Sequence, residues 1–353
     1  MPKGKSIKEI TIALSYPHPT PPAPGTATEV APGILWARLP LPFSLDHVNV
    51  YFIEDGDGWA IVDCGISNLE TRSAWDALLN GPVKKQRITR VIVTHHHPDH
   101  IGMAGWLCDR LGVEMWCGRE TFLYTMNLAQ APALLGDSLY RDFYTDHGMQ
   151  PDVAELVATR GHEYLRMISP PPLTFRRLAP GKDLVIGERR FQVLSGGGHC
   201  PEQIMLYSAD DKVFLAADQV IEKISSNVSV LSFEPMEDPL GEFFASLAEI
   251  KRIIPGDALV LSGHRLPFFG LHERCDALIA HHQDRCEIIM EACGVEPRSC
   301  NDILPLMFRP ELTPHEISFA FTEALAHMNH LVESGQLVWN KGADASLKAV
   351  STQ

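Results

Sequence analysis

The densest chemistry in the sequence is the run Thr94-His95-His96-His97-Pro98-Asp99-His100, which follows directly on the apolar residues Val91-Ile92-Val93. Imidazole nitrogens and carboxylate oxygens are the donors that hydrolytic zinc prefers. So many donors within six residues are more than one tetrahedral ion can use beside the chain's other candidates, and they suit two ions. Three further donors stand alone. His199 follows Ser195-Gly196-Gly197-Gly198, Asp218 closes the apolar run Val213–Ala217, and His264 follows residues 259–261 through Ser262-Gly263. Glycines ahead of His199 let the backbone turn sharply and approach closely. Each of these donors falls at the end of an expected strand, where α/β folds place their ligands. A surface histidine patch would account for the first run but not for that recurrence.

The elements that must position these donors follow from periodicity. Residues 34–39, 48–53 and 59–62 read as strands, with a Gly/Asp hairpin turn at 54–58. A helix over 69–79 is closed by Asn80-Gly81-Pro82. Residues 91–93 form a buried strand, a helix places Met103, Leu107 and Leu111 on one face, and 113–117 is strand again. Residues 119–170 break this pattern: they are helical and rich in aromatics and methionine, among them Phe122, Tyr124, Tyr140, Phe143 and Tyr144. They read as an insertion with a small core of its own, as a lid over the site, or as both. Strands resume at 184–186, 190–194, 204–207 and 213–215, then a helix over about 242–253 and a strand at 258–261. The order suits a layered αββα architecture.

The ordered set His-x-His-x-Asp-His after a strand, then Gly-His, then Asp, then His, resembles the metallo-beta-lactamase superfamily over roughly residues 30–295. The resemblance implies an α/β fold, the four-layer αββα sandwich, and a site for two metals: two Zn2+ per chain, with Fe or Mn as alternatives. It assigns His95, His97 and His199 to the first metal, Asp99, His100 and His264 to the second, and Asp218 to the bridge between them. Asp99 is also the residue it has orienting the nucleophile and accepting its proton. Asp63, in Val62-Asp63-Cys64-Gly65, resembles the strand-end aspartate that braces the ligands; its other reading is a turn-forming residue before Gly65. His96 has no place in the pattern and is expected to point away from His95 and His97. Cys200 does not match a ligand position and reads as a structural thiol. His97 stands where flavodiiron relatives place Glu, which implies hydrolysis over electron transfer. Asp218 stands where lactamases of the best-known antibiotic-resistance subclass use Cys.

The 353 residues suit one large domain with an appendage, and 45% hydrophobic residues supply a core. A net charge of -14 repels phosphate backbones and anionic membranes, and no basic run offsets it. Eight scattered cysteines without a Cys-x-x-Cys pair read as reduced thiols in a cytoplasmic protein. Residues 1–29 form an extended lead-in, Pro-rich over 17–25; the apolar stretch 10–16 makes a poor signal peptide. No run reaches the length of a membrane span.

The tail begins near residue 296, after a helix over Leu271–Cys293 that stops at Gly294. Thr313-Pro314-His315-Glu316 is a capping box, and Ile317, Phe321, Leu325 and Met328 continue it at helical spacing. Ser334-Gly335 then turns into a strand at 337–339, which gives residues 296–353 a winged-helix outline. A lactamase-like domain with such a tail resembles the beta-lactamase-like protein 2 group and its bacterial relatives, some described as endoribonucleases and others as glyoxalase II-like thioesterases. The resemblance implies a metal-bridging hydroxide attacking the carbonyl of a small-molecule thioester, ester or lactone. The acidic charge and the aromatic insertion favour that substrate class. A nucleic-acid phosphodiesterase is the alternative that the tail suggests and the charge opposes. A mononuclear iron persulfide dioxygenase, using His95, His199 and Asp218, is the other. The expected partner is a small molecule, with no nucleic acid and no membrane. The apolar helix of the tail suggests a homodimer.

Overall fold

The computed structural model describes residues 14–84, 86–130, 137–158, 163–343 and 345–352. Two sheets stack face to face. The first runs in chain order: β1 (Thr28–Ala31), β2 (Ile34–Pro40), β3 (His47–Asp55), β4 (Gly58–Val62), β5 (Arg87–Val93), β6 (Met115–Cys117) and β7 (Arg176–Arg177). Hairpins make β1 to β4 antiparallel; crossovers make β4 to β7 parallel. The first crossover is α1 (Leu69–Asn80), started by the Asn68 side chain, which accepts from the Thr71 amide. The second carries α2 (Pro98–Ile101) and α3 (Ala104–Leu111). The helix expected to carry Met103, Leu107 and Leu111 is α3, with Met103 at its N-cap; the single turn of α2 precedes it inside the histidine run.

The insertion consists of α4 (Arg119–Gln130), α5 (Asp137–Asp146), α6 (Pro151–Ala158) and α7 (Glu163–Met167). The second sheet contains β8 (Asp183–Ile186), β9 (Arg189–Gly196), β10 (Gln203–Ser208), β11 (Val213–Ala217) and β12 (Leu259–Ser262), side by side in that order. It is antiparallel except for β11 and β12, which α8 (Pro239–Ile253) connects in parallel.

Side-chain alternation sorts the strands into layers. Trp36, Tyr51, Val62 and Ile92 point between the sheets, against Phe191, Leu206 and Leu261. Their neighbours Ala37, Phe52, Ile61 and Val91 point outward onto Trp75 of α1 and Leu107 of α3. Because both faces are buried, these strands read as continuous apolar runs. Outside the second sheet, Met205 and Phe214 meet Phe243 and Leu247 of α8. The result is the αββα sandwich.

The chain ends with α9 (Leu271–Cys293), α10 (Cys300–Met307), α11 (Pro314–Glu333) and the hairpin of β13 (Leu337–Lys341) and β14 (Leu347–Ser351). The Thr313 capping box is present, and Ser299 makes a second one with Asp302. The insertion does not have a core to itself. Phe143, Tyr144, Met149 and Val157 join Phe321 and Leu325 of α11 in one apolar cluster. The Tyr144 and Phe321 rings are 5.3 Å apart. Helices as short as α5 and α6 cannot bury an apolar face alone, and they share one with the tail. Phe321, Ala324, Leu325 and Met328 of α11 are thereby buried inside the subunit. All eight cysteines are free thiols, buried except for the half-buried Cys286. Among the described residues no helix is long and apolar enough to cross a membrane.

Between α9 and α11 lies a buried polar network. Arg285 Nη1 donates to Glu323 Oε1 at 2.7 Å, and His282 Nδ1 is 3.0 Å from His327 Nε2. Removing only the cation strands a buried carboxylate. Arg285→Ala is therefore expected to cost about 3–5 kcal/mol, read from urea unfolding. Arg285→Met with Glu323→Leu should recover most of the loss. A single variant as stable as the parent would mean that the pair contributes nothing.

Candidate metal centre

The centre sits at the ends of five strands, β4, β5, β9, β11 and β12. β4 ends at Asp63, held in the left-handed region at φ 63, whose amide donates to Ile92 O at 2.8 Å. Its carboxylate accepts from the Thr94 amide (2.9 Å) and the Thr94 hydroxyl (2.9 Å), just past the end of β5. It also accepts from His100 Nδ1 at 2.8 Å. One side chain thus ties both ends of the histidine run to the sheet. His97 occupies the N-cap of α2, with Pro98 at the first position, so that the single turn presents Asp99 and His100 inward.

The other donors arrive on tight backbone. Gly198, at φ 92, precedes His199; a Cβ there would lie 2.5 Å from Phe243 Cβ. Asp218 follows Ala217, a non-glycine residue at φ 45 at the end of β11. His264 follows Gly263, where a Cβ would lie 2.2 Å from Asp218 Oδ1 and 2.8 Å from His100 Cε1. Gly263→Ala is expected to push Asp218 aside and weaken metal binding on the order of 10–100-fold, the range for groups that set ligand orientation. Chelator competition on the purified variant checks this; unchanged affinity would show the approach to be slack.

All seven donors converge. The ligand atoms of His95, His97 and His199 lie within 4.8 Å of one another, as do those of His95, His100 and Asp218 and those of Asp99, His100 and His264. Asp218 Oδ2 sits in the middle, 3.1 Å from His264 Nε2, 3.5 Å from His100 Nε2 and 3.7 Å from His199 Nε2. Asp99 Oδ2 is 3.3 Å from His264 Nε2.

The outward ring nitrogens decide whether a cation fits. Nδ1 of His100, His199 and His264 contacts Asp63 Oδ2, the Asn227 carbonyl and the His47 carbonyl, each at 2.8 Å. Carbonyls and carboxylates only accept, so Nδ1 carries the proton and Nε2 is left facing inward. His95 Nδ1 is held by the Thr94 hydroxyl at 2.9 Å. Inside, His95 Nε2 faces His97 Nδ1 at 3.0 Å and His199 Nε2 at 3.3 Å. His100 Nε2 and Asp218 Oδ1 are buried with no hydrogen-bond partner. With Nδ1 of His95 and His199 protonated, their Nε2 lone pairs face one another at 3.3 Å beside the buried Asp218 carboxylate, an arrangement that a divalent cation satisfies.

Electrostatics divides the centre into two halves. Burial, reinforced by neighbouring histidines, holds His95 and His97 well below the usual histidine range, and burial also lowers His199. These rings are neutral donors. On the other side burial works against protonation, but the carboxylates outweigh it. They lift His100 well above its usual value and His264 up to about 10. Burial would raise Asp218 and Asp99, and the facing His100 and His264 keep both below the ordinary carboxylate range.

His96 lies outside these groups and packs on Tyr124, with ring centroids 4.1 Å apart. Cys200 is buried, its thiol pushed well above the usual range by burial, and belongs to none of them. A fourth donor group, His282, Glu323 and His327, is the network between α9 and α11, where the Arg285 guanidinium already neutralises the carboxylate. A cavity of about 260 Å3 opens beside His97 and His199, with His96, Tyr124, Tyr140 and Phe319 in its wall. A second, of about 370 Å3, shares His199 and is lined by Glu120, Glu234, Glu237 and Glu242. A larger cavity at Glu54, Asp55 and Arg189 lies at the opposite strand ends, away from the donors.

Residues 44–266 match the metallo-beta-lactamase superfamily. The chain belongs to the metallo-beta-lactamase superfamily. It carries that superfamily's C-terminal domain as well, over residues 286–349, a match that begins inside α9. The probable metallo-hydrolase YqjP of Bacillus subtilis is 22% identical, covering 84% of this chain and 92% of its own. A beta-lactamase domain protein from Burkholderia ambifaria superposes with a TM-score of 0.87 at 38% identity, covering 96% of this chain and 97% of its own. A metallo-beta-lactamase family protein from Thermus thermophilus gives 0.77 at 26% identity, covering 92% and 100%. The protein is a metal-dependent hydrolase of this superfamily.

Neither His47 nor Asn227, whose carbonyls hold two of the rings, carried a signal in the sequence. Main-chain acceptors leave no mark on residue type. Phe319 and Thr322 of α11 also line the cavity, although they lie more than fifty residues beyond the last donor in the chain.

Proposed function

We propose that the protein is a dizinc hydrolase of a small-molecule thioester, ester or lactone. The observation that carries this reading is Asp218 Oδ2, which lies within 3.1–3.7 Å of His264, His100 and His199. One carboxylate is thereby shared by two sets of donors. His95, His97 and His199 would hold one ion and Asp99, His100 and His264 the other, with Asp218 placed to serve both. Zinc bound there supplies Lewis acidity and lowers the pKa of water to near 7.

The chain's own residues do the rest. Asp99 is the more exposed of the two carboxylates among the donors, its side chain 21% exposed against 7% for Asp218. It orients the attacking water and accepts its proton. Asp63 fixes His100 and Thr94 so that the donors need not reorganise during reaction. The substrate carbonyl enters past His97 and His199, the two donors that border the 260 Å3 cavity.

A net charge of -14 disfavours a polyanionic substrate, and the buried face of α11 makes the tail a structural part of the enzyme. Its helix-and-hairpin outline is a winged helix put to that use. Eight free cysteines suit a reducing, cytoplasmic setting.

The test is metal content, run beside thioesters, lactones, a chromogenic cephalosporin and single-stranded RNA. About two zinc per chain with turnover of carbonyl esters is the expected result. One iron per chain with oxygen consumption on a persulfide would overturn it.

A further inference from the structure

We propose that the 260 Å3 cavity closed by α11 is the subsite for an uncharged, apolar moiety of the substrate, and that Phe319 of the C-terminal domain sets its size preference. This rests on the hydrolase reading above and names the substrate class. The cavity begins at the metal donors His97 and His199 and runs outward between the insertion and the tail. Its aromatic wall is built from three separate stretches of chain: Tyr124, Tyr140 and Tyr144 from the insertion, Phe233 from the loop before α8, and Phe319 from α11.

Among the described residues no lysine or arginine lines it, so the wall offers no fixed cation to a carboxylate, sulfate or phosphate. Several of its polar groups are engaged with one another. Ser229 and Thr322 hydroxyls are 2.9 Å apart, and the Thr322 hydroxyl donates to the Ser318 carbonyl at 3.0 Å. Burial pushes the Tyr124, Tyr140 and Tyr144 phenols up, which keeps the wall uncharged. The neighbouring cavity, with its four glutamates and the shared His199, repels any anion that approaches the same donor.

The mouth is apolar too. Phe43, Phe233 and Phe319 are 39%, 38% and 47% exposed. The Phe43 ring, from the turn between β2 and β3, stacks on His315 at 5.6 Å, and His315 meets Phe319 edge-on at 4.9 Å. Large rings left open around a catalytic cleft mark where an apolar ligand lies. The volume is below the roughly 300–1,000 Å3 of drug-sized sites, which limits the occupant to one aryl or alkyl group.

Two measurements test this. On the zinc-loaded protein, p-nitrophenyl esters are compared from acetyl to octanoyl, beside carboxylate-bearing partners of matched length. The expected result is kcat/KM rising with apolar length and falling for the carboxylate partners. Phe319→Ala should raise the ratio of the octanoyl to the acetyl KM roughly tenfold, the scale of a lost apolar contact. In the second measurement, octanamide and octanesulfonate are titrated calorimetrically into metal-free protein. Octanamide should bind, Phe319→Ala should weaken it, and octanesulfonate should not bind. Turnover without length dependence, or with equal use of carboxylate esters, would sink the subsite and leave the hydrolase standing. No ester turnover with intact octanamide binding would sink the ester-hydrolase reading and keep the apolar site. Failure of octanamide to bind would overturn the proposal outright.

Discussion

Asp218→Asn is expected to lower kcat/KM by roughly 1000-fold or more, since Lewis-acid stabilisation is worth several kcal/mol and each 1.4 kcal/mol is about tenfold. The substitution keeps volume and shape, and it removes the one negative charge that three histidines face at 3.1–3.7 Å. An amide nitrogen in place of Oδ2 would present hydrogens to the nitrogens that should hold the ions. Zinc content measured beside activity separates the causes. Loss of both means that Asp218 holds the metals together, and loss of activity with full zinc would mean that it acts only on the reaction. Normal turnover would remove it from the centre altogether.

Asp63→Asn is the second large effect. The carboxylate accepts from the Thr94 amide, the Thr94 hydroxyl and His100 Nδ1. An asparagine oxygen can keep the first contacts, and asparagine tolerates the left-handed backbone at φ 63 better than most residues. Its NH2 would instead face the His100 N–H, donor against donor. Zinc affinity is expected to fall about 10–100-fold. Competition with a chromogenic chelator reads this, and far-UV circular dichroism controls for the fold. Wild-type affinity in the variant would reduce Asp63 to a turn residue.

The donors were legible because each combines a telling residue type with a telling place. His95 to His100 follow an apolar run, and Asp218 and His264 stand where apolar runs stop, so that type and strand end could be read together. The helix over Leu271–Cys293 was legible to the residue because glycines flank it at 270 and 294. What escaped was either too short or too distant. β7 has only two residues, and α10 contains Pro305 and completes its Ser299 capping box with Asp302 where Glu or Gln would be the usual signal. The core shared by the insertion and α11 joins Tyr144 to Phe321, a separation that no periodicity spans. The cavity wall is hidden for the same reason: its aromatics come from stretches of chain brought together only by folding.

That shared core also has a thermodynamic side. A molecule seated between the insertion and α11 touches two segments whose packing depends on one another, so its binding energy is added to the tail's resistance to unfolding. Linkage runs both ways: the factor by which a ligand at the cleft favours the docked tail is the factor by which docking of the tail favours the ligand. On the subsite proposed above, the tail is one jaw of the grip on the substrate, and a mutation that loosens its docking is expected to be felt in binding at the cleft.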